Sequence, residues 1–336
     1  MTPKTTEIQV VTALRGAAAL AVAWYHLTNM DYQAGTVLQA IGSVGWLGVQ
    51  AFFVISGFVI PYSLLRANYD RGRFFSFLVR RVVRIDPPYL ASIALSIAVA
   101  YTAYATPGYH GRHPHYTAGQ VLAHLGYVNN FLGYEQINRV YWTLGIEFQF
   151  YILIGFFHRG LTRCGWAVFW LTLLVGIGIN AWVESSKLDP EHVIARWVPL
   201  FLMGISAASF RSGLLSRNAL LARLGFCCAA GVAFLSVPIA AVALATALFI
   251  AFLPNLSAAP LGWLGKISYS LYLVHAPIGE RIMNVAHRFV TNLAFCFAIS
   301  LALTLLAAWG FNELFEEPAR RWAKKIGQVP KPVPAV

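Results

Sequence analysis

The sequence predicts an all-α polytopic membrane protein with about ten transmembrane helices and both termini in the cytoplasm. Three observations carry this reading. Of 336 residues, 58% are hydrophobic and only 11% are charged, and the mean hydropathy of +0.61 is far too high for a soluble globule of this length. The apolar residues gather into runs long enough to cross a bilayer. Basic residues then fall mostly on one side of those runs, which sets the orientation by the positive-inside rule.

In chain order the runs lie near 8–28, 46–65, 86–105, 141–158, 165–183, 193–210, 219–236, 238–254, 267–286 and 291–313. The first is preceded only by Lys4 and Glu7, and no small-residue cleavage site follows it, so it reads as a retained helix and not a removed signal peptide. Residues 66–86 are basic, aromatic and helical in pattern, which predicts a cytoplasmic interfacial helix feeding the third span. The connection over 106–140 carries His110, His113, His115 and His124 and is too long for a turn. It predicts a short helix lying over the outer mouth. Residues 1–327 are read as one integral-membrane domain, and the Pro-rich stretch 328–336 as a short disordered cytoplasmic tail.

With the N-terminus inside, the inner segments hold Arg66, Arg71, Arg73, Arg80, Arg81, Arg84, Arg159, Arg163, Arg211, Arg217, Arg223, Lys266, Arg320, Arg321, Lys324 and Lys325. The outer segments hold only Arg112, Arg139, Lys187, Arg196 and Arg288, set among Asp31, Glu184, Asp189 and Glu191. The net charge of +12 is therefore mostly topological. It implies contact with membrane lipids, with no nucleic acid as partner and a multi-pass location in the cytoplasmic (inner) membrane. Cys164, Cys227, Cys228 and Cys296 form no C-x-x-C pair and read as inert lipid- or core-facing thiols. His113 and His115 lack an accompanying carboxylate or cysteine at ligand spacing, so no metal is expected. The absence of a P-loop, a Rossmann glycine pattern or an H-E-x-x-H motif leaves ATP hydrolysis, nicotinamide chemistry and zinc proteolysis without support.

Ionisable side chains inside a span are functional candidates by default. Arg15 and His26 sit eleven residues apart in the first run. Eleven steps bring a helix to within roughly 20° of its starting direction and about 16 Å along its axis, so both share one stripe. Glu147, about 9 Å below the outer surface on the inward-running fourth span, falls at a depth that His26 can share. A carboxylate beside an imidazole makes a general-base dyad; the bland alternative is a polar lock between two helices. Ser56, beside Gly57, reads as a packing device, as a hydrogen-bonding group, or as a nucleophile activated by a base. His275 is either structural or functional. Arg81 and Arg84, three apart on one helical face and next to Arg80, present forked donors either to phosphates or to anionic lipid headgroups.

Several of these residues fall in motifs that resemble, in order along nearly the whole chain, those of the membrane acyltransferase 3 family. Leu14-Arg15-Gly16 followed by His26 is similar to its R-x10-H motif, Gly48 to Phe58 to its second-span motif, and Arg81-Val82-Val83-Arg84 to its R-x-x-R motif. The resemblance continues through Tyr141-Trp142-Thr143-Leu144-Gly145-Ile146-Glu147-Phe148, Ser268 to His275, and Glu316-Glu317-Pro318. It implies transfer of an acyl group, usually acetyl, from cytoplasmic acetyl-CoA to a hydroxyl of an envelope glycan or glycolipid. It also implies roles: His26 as the catalytic residue with Arg15 in the same site, Glu147 as the partner of His26, and Arg80, Arg81 and Arg84 near the CoA. Ser56, Gln50, Trp142 and His275 are placed as substrate or support residues. Gln50 departs from a position that is often acidic in relatives acting on envelope polysaccharides. The chain carries no esterase-like domain of the kind some relatives have, so it is expected to complete the transfer alone or to hand acyl groups to a partner.

The alternative reading is a lipid or glycolipid transporter or flippase. That class predicts discontinuous helices and repeated halves, which the sequence does not display. A non-catalytic receptor or scaffold leaves Arg15, His26 and Glu147 as costly passengers.

Overall fold

The computed structural model describes residues 8–106, 113–163, 165–186, 188–256 and 258–326. Lys4, Glu7, His110, Arg112, Cys164, Lys187 and the tail from Gln328 lie outside the described residues. All regular structure among the described residues is helical. The chain runs through α1 (Gln9–Thr28), α2 (Val37–Gly42), α3 (Gly48–Arg66), α4 (Phe74–Tyr104), α5 (Ala118–Leu125), α6 (Trp142–Arg163), α7 (Trp166–Glu184) and α8 (Ile194–Arg211). It continues through α9 (Arg217–Phe234), α10 (Val237–Phe252), α11 (Ala259–Lys266) and α12 (Ser268–Val274), then a π-helical turn at His275–Glu280 and α13 (Arg281–Phe289). After α14 (Leu293–Phe311), a second π-helical turn at Asn312–Glu316 leads into α15 (Glu317–Lys325).

Local chemistry sets many of these boundaries. Thr36, Thr117, Ser216, Ser236 and Asn292 each occupy an N-cap and accept a hydrogen bond from a backbone N–H three residues on, which satisfies a donor that the helix leaves free. Helices fill all ten expected stretches. Among the described residues, six segments are long and apolar enough to cross a membrane: Gln9–Thr28, Val37–Arg66, Arg71–Tyr104, Trp166–Glu184, Arg217–Phe234 and Leu293–Lys325. The other four stretches fall short for visible reasons. α10 has 16 residues, the Ser268–Phe289 stretch carries His275, Glu280, Arg281, His287 and Arg288, and α6 and α8 carry Glu147, His158 and Arg159, and Arg196, Ser206 and Ser209, respectively.

One expectation is corrected. Residues 66–86 do not form a separate interfacial helix: α4 runs unbroken for 31 residues, through Pro87 and Pro88. At 1.5 Å per residue that is about 46 Å, longer than the ~30 Å hydrocarbon layer. One continuous helix therefore extends beyond the apolar slab, and its first turns carry Arg80, Arg81 and Arg84. The short helix expected within 106–140 is α5, held to the bundle by a hydrogen bond from Tyr89 Oη to the His124 carbonyl (3.3 Å).

Close helix crossings depend on residues without a side chain. A methyl group built on Gly204 would meet the Val54 carbonyl oxygen at 2.2 Å and the Gly57 carbonyl carbon at 2.6 Å, and one on Gly57 would meet the Phe201 carbonyl at 2.5 Å. Backbone against backbone at α3–α8 is the small-residue packing that membrane helices use. Two apolar clusters fill the bundle, one around Phe53, Phe150, Phe201 and Met203 and the other around Leu27, Tyr89, Leu271 and Met283. Val49, Phe52 and Phe148 pack against both, so a seam runs between the clusters.

Two outcomes are expected. Gly204→Ala lowers stability by about 1–3 kcal/mol through overpacking, read as the thermal unfolding midpoint in detergent. Gly225→Ala, where nothing lies within 4 Å, leaves the midpoint unchanged or raises it slightly. His124 is buried, with Nδ1 2.8 Å from the Gln120 carbonyl and Nε2 accepting from Ile137 N–H at 3.2 Å, which fixes the neutral ring with its proton on Nδ1. Burial holds its pKa below the ordinary 6.5. The unfolded chain then binds the extra proton, so this stabilisation is complete above about pH 6.5 and is lost as the pH falls. The hydrogen-exchange protection of 118–137, taken relative to the intrinsic exchange rate at each pH, should fall between pH 7.5 and pH 5 in the native protein, and His124→Gln should remove that dependence.

Candidate active site

A cleft opens along the seam, with about 990 Å³ of free space, its open mouth included. α1 contributes Arg15, α3 Ser56, α4 Arg81 and Arg84, α6 Glu147 and Tyr151, α12 Tyr269 and Tyr272, and the second π-turn Glu316. Arg81 and Arg84 are three residues apart on α4 and project together. The Arg81 guanidinium lies 5.4 Å from the Phe77 ring and 5.6 Å from the Tyr151 ring, a geometry that holds it in place without neutralising it.

The carboxylates in the cleft do not balance these cations. Glu147 Oε1 accepts from Ser56 Oγ (3.1 Å) and from Tyr151 Oη, one helical turn on (2.6 Å). Glu316 is committed elsewhere. Its Oε2 accepts from Ser270 N–H (3.1 Å) and Ser270 Oγ (2.6 Å), and its Oε1 lies 3.2 Å from Arg320. Arg320 also donates to the Lys266 carbonyl (3.0 Å) and to Asn312 Oδ1 (2.6 Å), tying α11, α12 and α15 together. Arg15, Arg81 and Arg84 make no salt bridge among the described residues. A low-dielectric cavity with three guanidiniums and one uncommitted carboxylate attracts an anion.

At the far end of the cleft, Tyr272 Oη is 2.7 Å from Thr143 Oγ1 and donates to the Val140 carbonyl (3.0 Å). Behind Tyr272 lies His275, with ring centres 5.8 Å apart, and beyond it His26, 5.1 Å from the His275 ring. His275 Nδ1 is 3.1 Å from the Leu271 carbonyl, so that nitrogen carries the proton. Its Nε2 is buried with no hydrogen-bond partner among the described residues. His26 Nδ1 lies 3.6 Å from Glu280 Oε1, and Arg139 bonds the other oxygen of Glu280.

The structure thus brings Arg15, Arg81, Arg84, Glu147 and Ser56 into one cleft, and joins His26 to its far end through Tyr272 and His275. The expected contact between His26 and Glu147 is not formed. α6 presents Thr143 at the level of Tyr272 and Glu147 one turn deeper, among the arginines; His26, on the last turn of α1, faces the π-turn instead. Gln50 is also outside the cleft. With its amide oriented to satisfy its surroundings, it donates to the Trp46 and Leu47 carbonyls (2.9 and 3.3 Å) at the start of α3. Trp142 packs in an aromatic group with Trp197 (5.8 Å) and Phe53 (6.2 Å), and Arg80 Nε bonds the Ser76 carbonyl on its own helix (3.2 Å). Sequence reasoning missed Tyr151, Tyr269, Tyr272, Arg320, Arg139 and Glu280. The i,i+4 spacing of Glu147 and Tyr151 was the available signal for the first; nothing local signals Glu280.

Fold and site together define a bundle of apolar helices built around a cationic cleft with histidines at its far end. A family model described as an acyltransferase domain matches residues 8–312. This is the family that the motifs resemble, and the chain belongs to it: it is an enzyme of the acyltransferase class. Acyltransferase MdmB of Streptomyces mycarofaciens is 26% identical over 96% of this chain and 94% of its own length. A protein of Acidianus two-tailed virus named as an acetyltransferase, ORF330, is 29% identical over 44% of this chain and 40% of its own length. One of Staphylococcus aureus strain COL named as an O-acetyltransferase, SACOL0978, is 27% identical over 54% of this chain and 30% of its own length. The match thus spans less than half of the viral and staphylococcal relatives. No solved structure matches the chain.

Arg320→Met strands the Glu316 carboxylate, which is only 3% exposed. The expected loss is about 3 kcal/mol or more, seen as a lowered unfolding midpoint. Ser270→Ala, which removes one of Glu316's donors, should cost about 1 kcal/mol.

Proposed function

We propose that this enzyme is an integral-membrane O-acyltransferase that takes an acyl group, acetyl in the first instance, from cytoplasmic acyl-CoA and places it on a hydroxyl of an envelope glycan or glycolipid. The observation that carries the reading is the cleft itself. Three guanidiniums without salt-bridge partners converge at one end, and a tyrosine–histidine row leads from the other end to His26. CoA has the matching shape, with phosphates at one end and a thioester at the tip of a long arm. Arg81 and Arg84 offer forked donors to the phosphates, and Arg15 lowers the cost of negative charge further along the cleft. Glu147 uses Oε1 for Ser56 and Tyr151, which leaves Oε2 to accept from an amide N–H of that arm. Ser56 serves to hold Glu147, since its hydroxyl is already directed at the carboxylate.

In this mechanism His26 is the general base. The acceptor hydroxyl loses its proton to His26 as its oxygen attacks the acyl carbon; the C–S bond breaks, and the proton returns to the departing sulfur. Ester and free thiol leave, and His26 is neutral again. The topology that accompanies the mechanism has about ten spans and both termini in the cytoplasm of an inner membrane. It puts the arginine-lined end on the side that supplies the donor and Arg139 on the side that presents the glycan.

Labelled acetyl-CoA added to membranes carrying the protein tests this directly. Acceptor-dependent release of free CoA should fall about 10²–10⁴-fold in His26→Ala, and a wild-type rate in that variant removes His26 from the chemistry. The double change Arg81→Ala with Arg84→Ala should raise the donor KM about tenfold or more, with a smaller fall in kcat; a pure kcat effect would assign the pair to lipid headgroups.

A further inference from the structure

We propose that Glu280, clamped by Arg139, is the residue that positions His26. The proposal rests on the reading of His26 as the base. His26 Nδ1 and Glu280 Oε1 are both buried, each without a hydrogen-bond partner among the described residues, and they face one another at 3.6 Å. A complementary pair of orphaned atoms at that separation needs only a small rotation to become a hydrogen bond. A proton on Nδ1, directed at the carboxylate, leaves Nε2 as the free base, which settles the tautomer that catalysis requires.

The backbone is built for this contact. In an α-helix, residues five apart point in different directions, so His275 and Glu280 would diverge. The segment from His275 to Glu280 is instead a π-turn, whose i→i+5 ladder brings residues five apart onto nearly the same side. Both side chains consequently reach His26, with His275 at 5.1 Å ring to ring and Glu280 at the Nδ1 edge. Arg139, on the connection that precedes α6, engages the other oxygen of Glu280, so Oε1 stays aimed at the imidazole. Glu147 cannot take this role, because its bonded oxygen is held by Ser56 and Tyr151 within the arginine cleft.

Full-length protein in native membrane vesicles, supplied with labelled acetyl-CoA, provides the test. Glu280→Gln should lower kcat about 10- to 100-fold, less than loss of the base itself, and leave the donor KM within about twofold. Glu280→Asp should recover much of the loss, and Arg139→Gln should reproduce a milder form of it. In a His26→Ala background Glu280→Gln should cost nothing further, because a positioning residue has no effect once its target is gone. Carbethoxylation of His26 by diethyl pyrocarbonate, followed by peptide mass spectrometry, adds a readout independent of turnover. It should slow by about threefold or more in Glu280→Gln. Wild-type kcat and wild-type His26 modification in Glu280→Gln overturn the proposal. A slowed modification together with an active His26→Ala variant would instead keep the contact and sink the base assignment. Should Glu280→Gln fail to fold, Arg139→Gln, altered at a largely exposed side chain, decides the matter: unchanged kcat and unchanged His26 modification overturn the proposal.

Discussion

Three guanidinium groups share one low-dielectric cleft without a salt bridge among the described residues, and much of the surrounding structure serves to keep them there. Arg15 comes from α1, and Arg81 and Arg84 from α4, so their mutual repulsion has to be resisted by helix packing. Gly16 and Gly265 let α1 lie directly on α11, where a methyl group on Gly265 would meet the Thr12 carbonyl at 2.0 Å. Arg320 fixes the opposite wall by gathering Glu316, Asn312 and the Lys266 carbonyl. Glu147 offsets part of the charge, and its two hydroxyl donors keep it from drifting onto any one arginine. The remainder is a standing attraction for an anion, maintained by covalent and packing constraints and not by a resident counter-charge.

Two π-helical turns divide the labour of the site. π-turns are rare and concentrate at functional positions. The turn at Asn312–Glu316 supplies two of the groups that Arg320 holds, Asn312 and Glu316, and the turn at His275–Glu280 supplies His275 and Glu280 beside His26. Each turn shifts the side-chain phase of the helix after it, so residues that an α-helical reading scatters around the axis come to share a side. The cationic end and the histidine end of the molecule therefore rest on the same backbone device, used twice.

Legibility in the sequence tracks the range of the interactions involved. Helix positions were readable because hydropathy and the 3.6-residue period are local properties; α1, α7 and α8 begin and end within one residue of the apolar runs. Arg15, His26, Glu147 and Ser56 stood out because a polar group inside such a run is expensive, and Arg81 and Arg84 because they form a basic cluster on one helical face. Where the structure turns a candidate side chain away from the cleft, the difference is one of direction. Gln50 turns back on its own helix start, Trp142 joins an aromatic cluster, and Arg80 sits around the helix from Arg81. Rotation about the axis and a one-turn offset decided that Glu147 and His26 do not touch.

By itself, then, the sequence determined an all-helical, membrane-compatible chain, the order of its helices, and a short set of polar side chains of which Arg15, Ser56, Arg81, Arg84 and Glu147 meet in one cleft. Those outcomes depend on transfer free energies and hydrogen bonds that each segment satisfies on its own. Only the tertiary structure decided that Glu147 belongs with the arginines and Glu280 with His26. That choice depends on how closely small residues let neighbouring backbones approach and on where a π-turn resets the helical phase. Neither quantity is a property of one segment; both come from the fit of several helices at once.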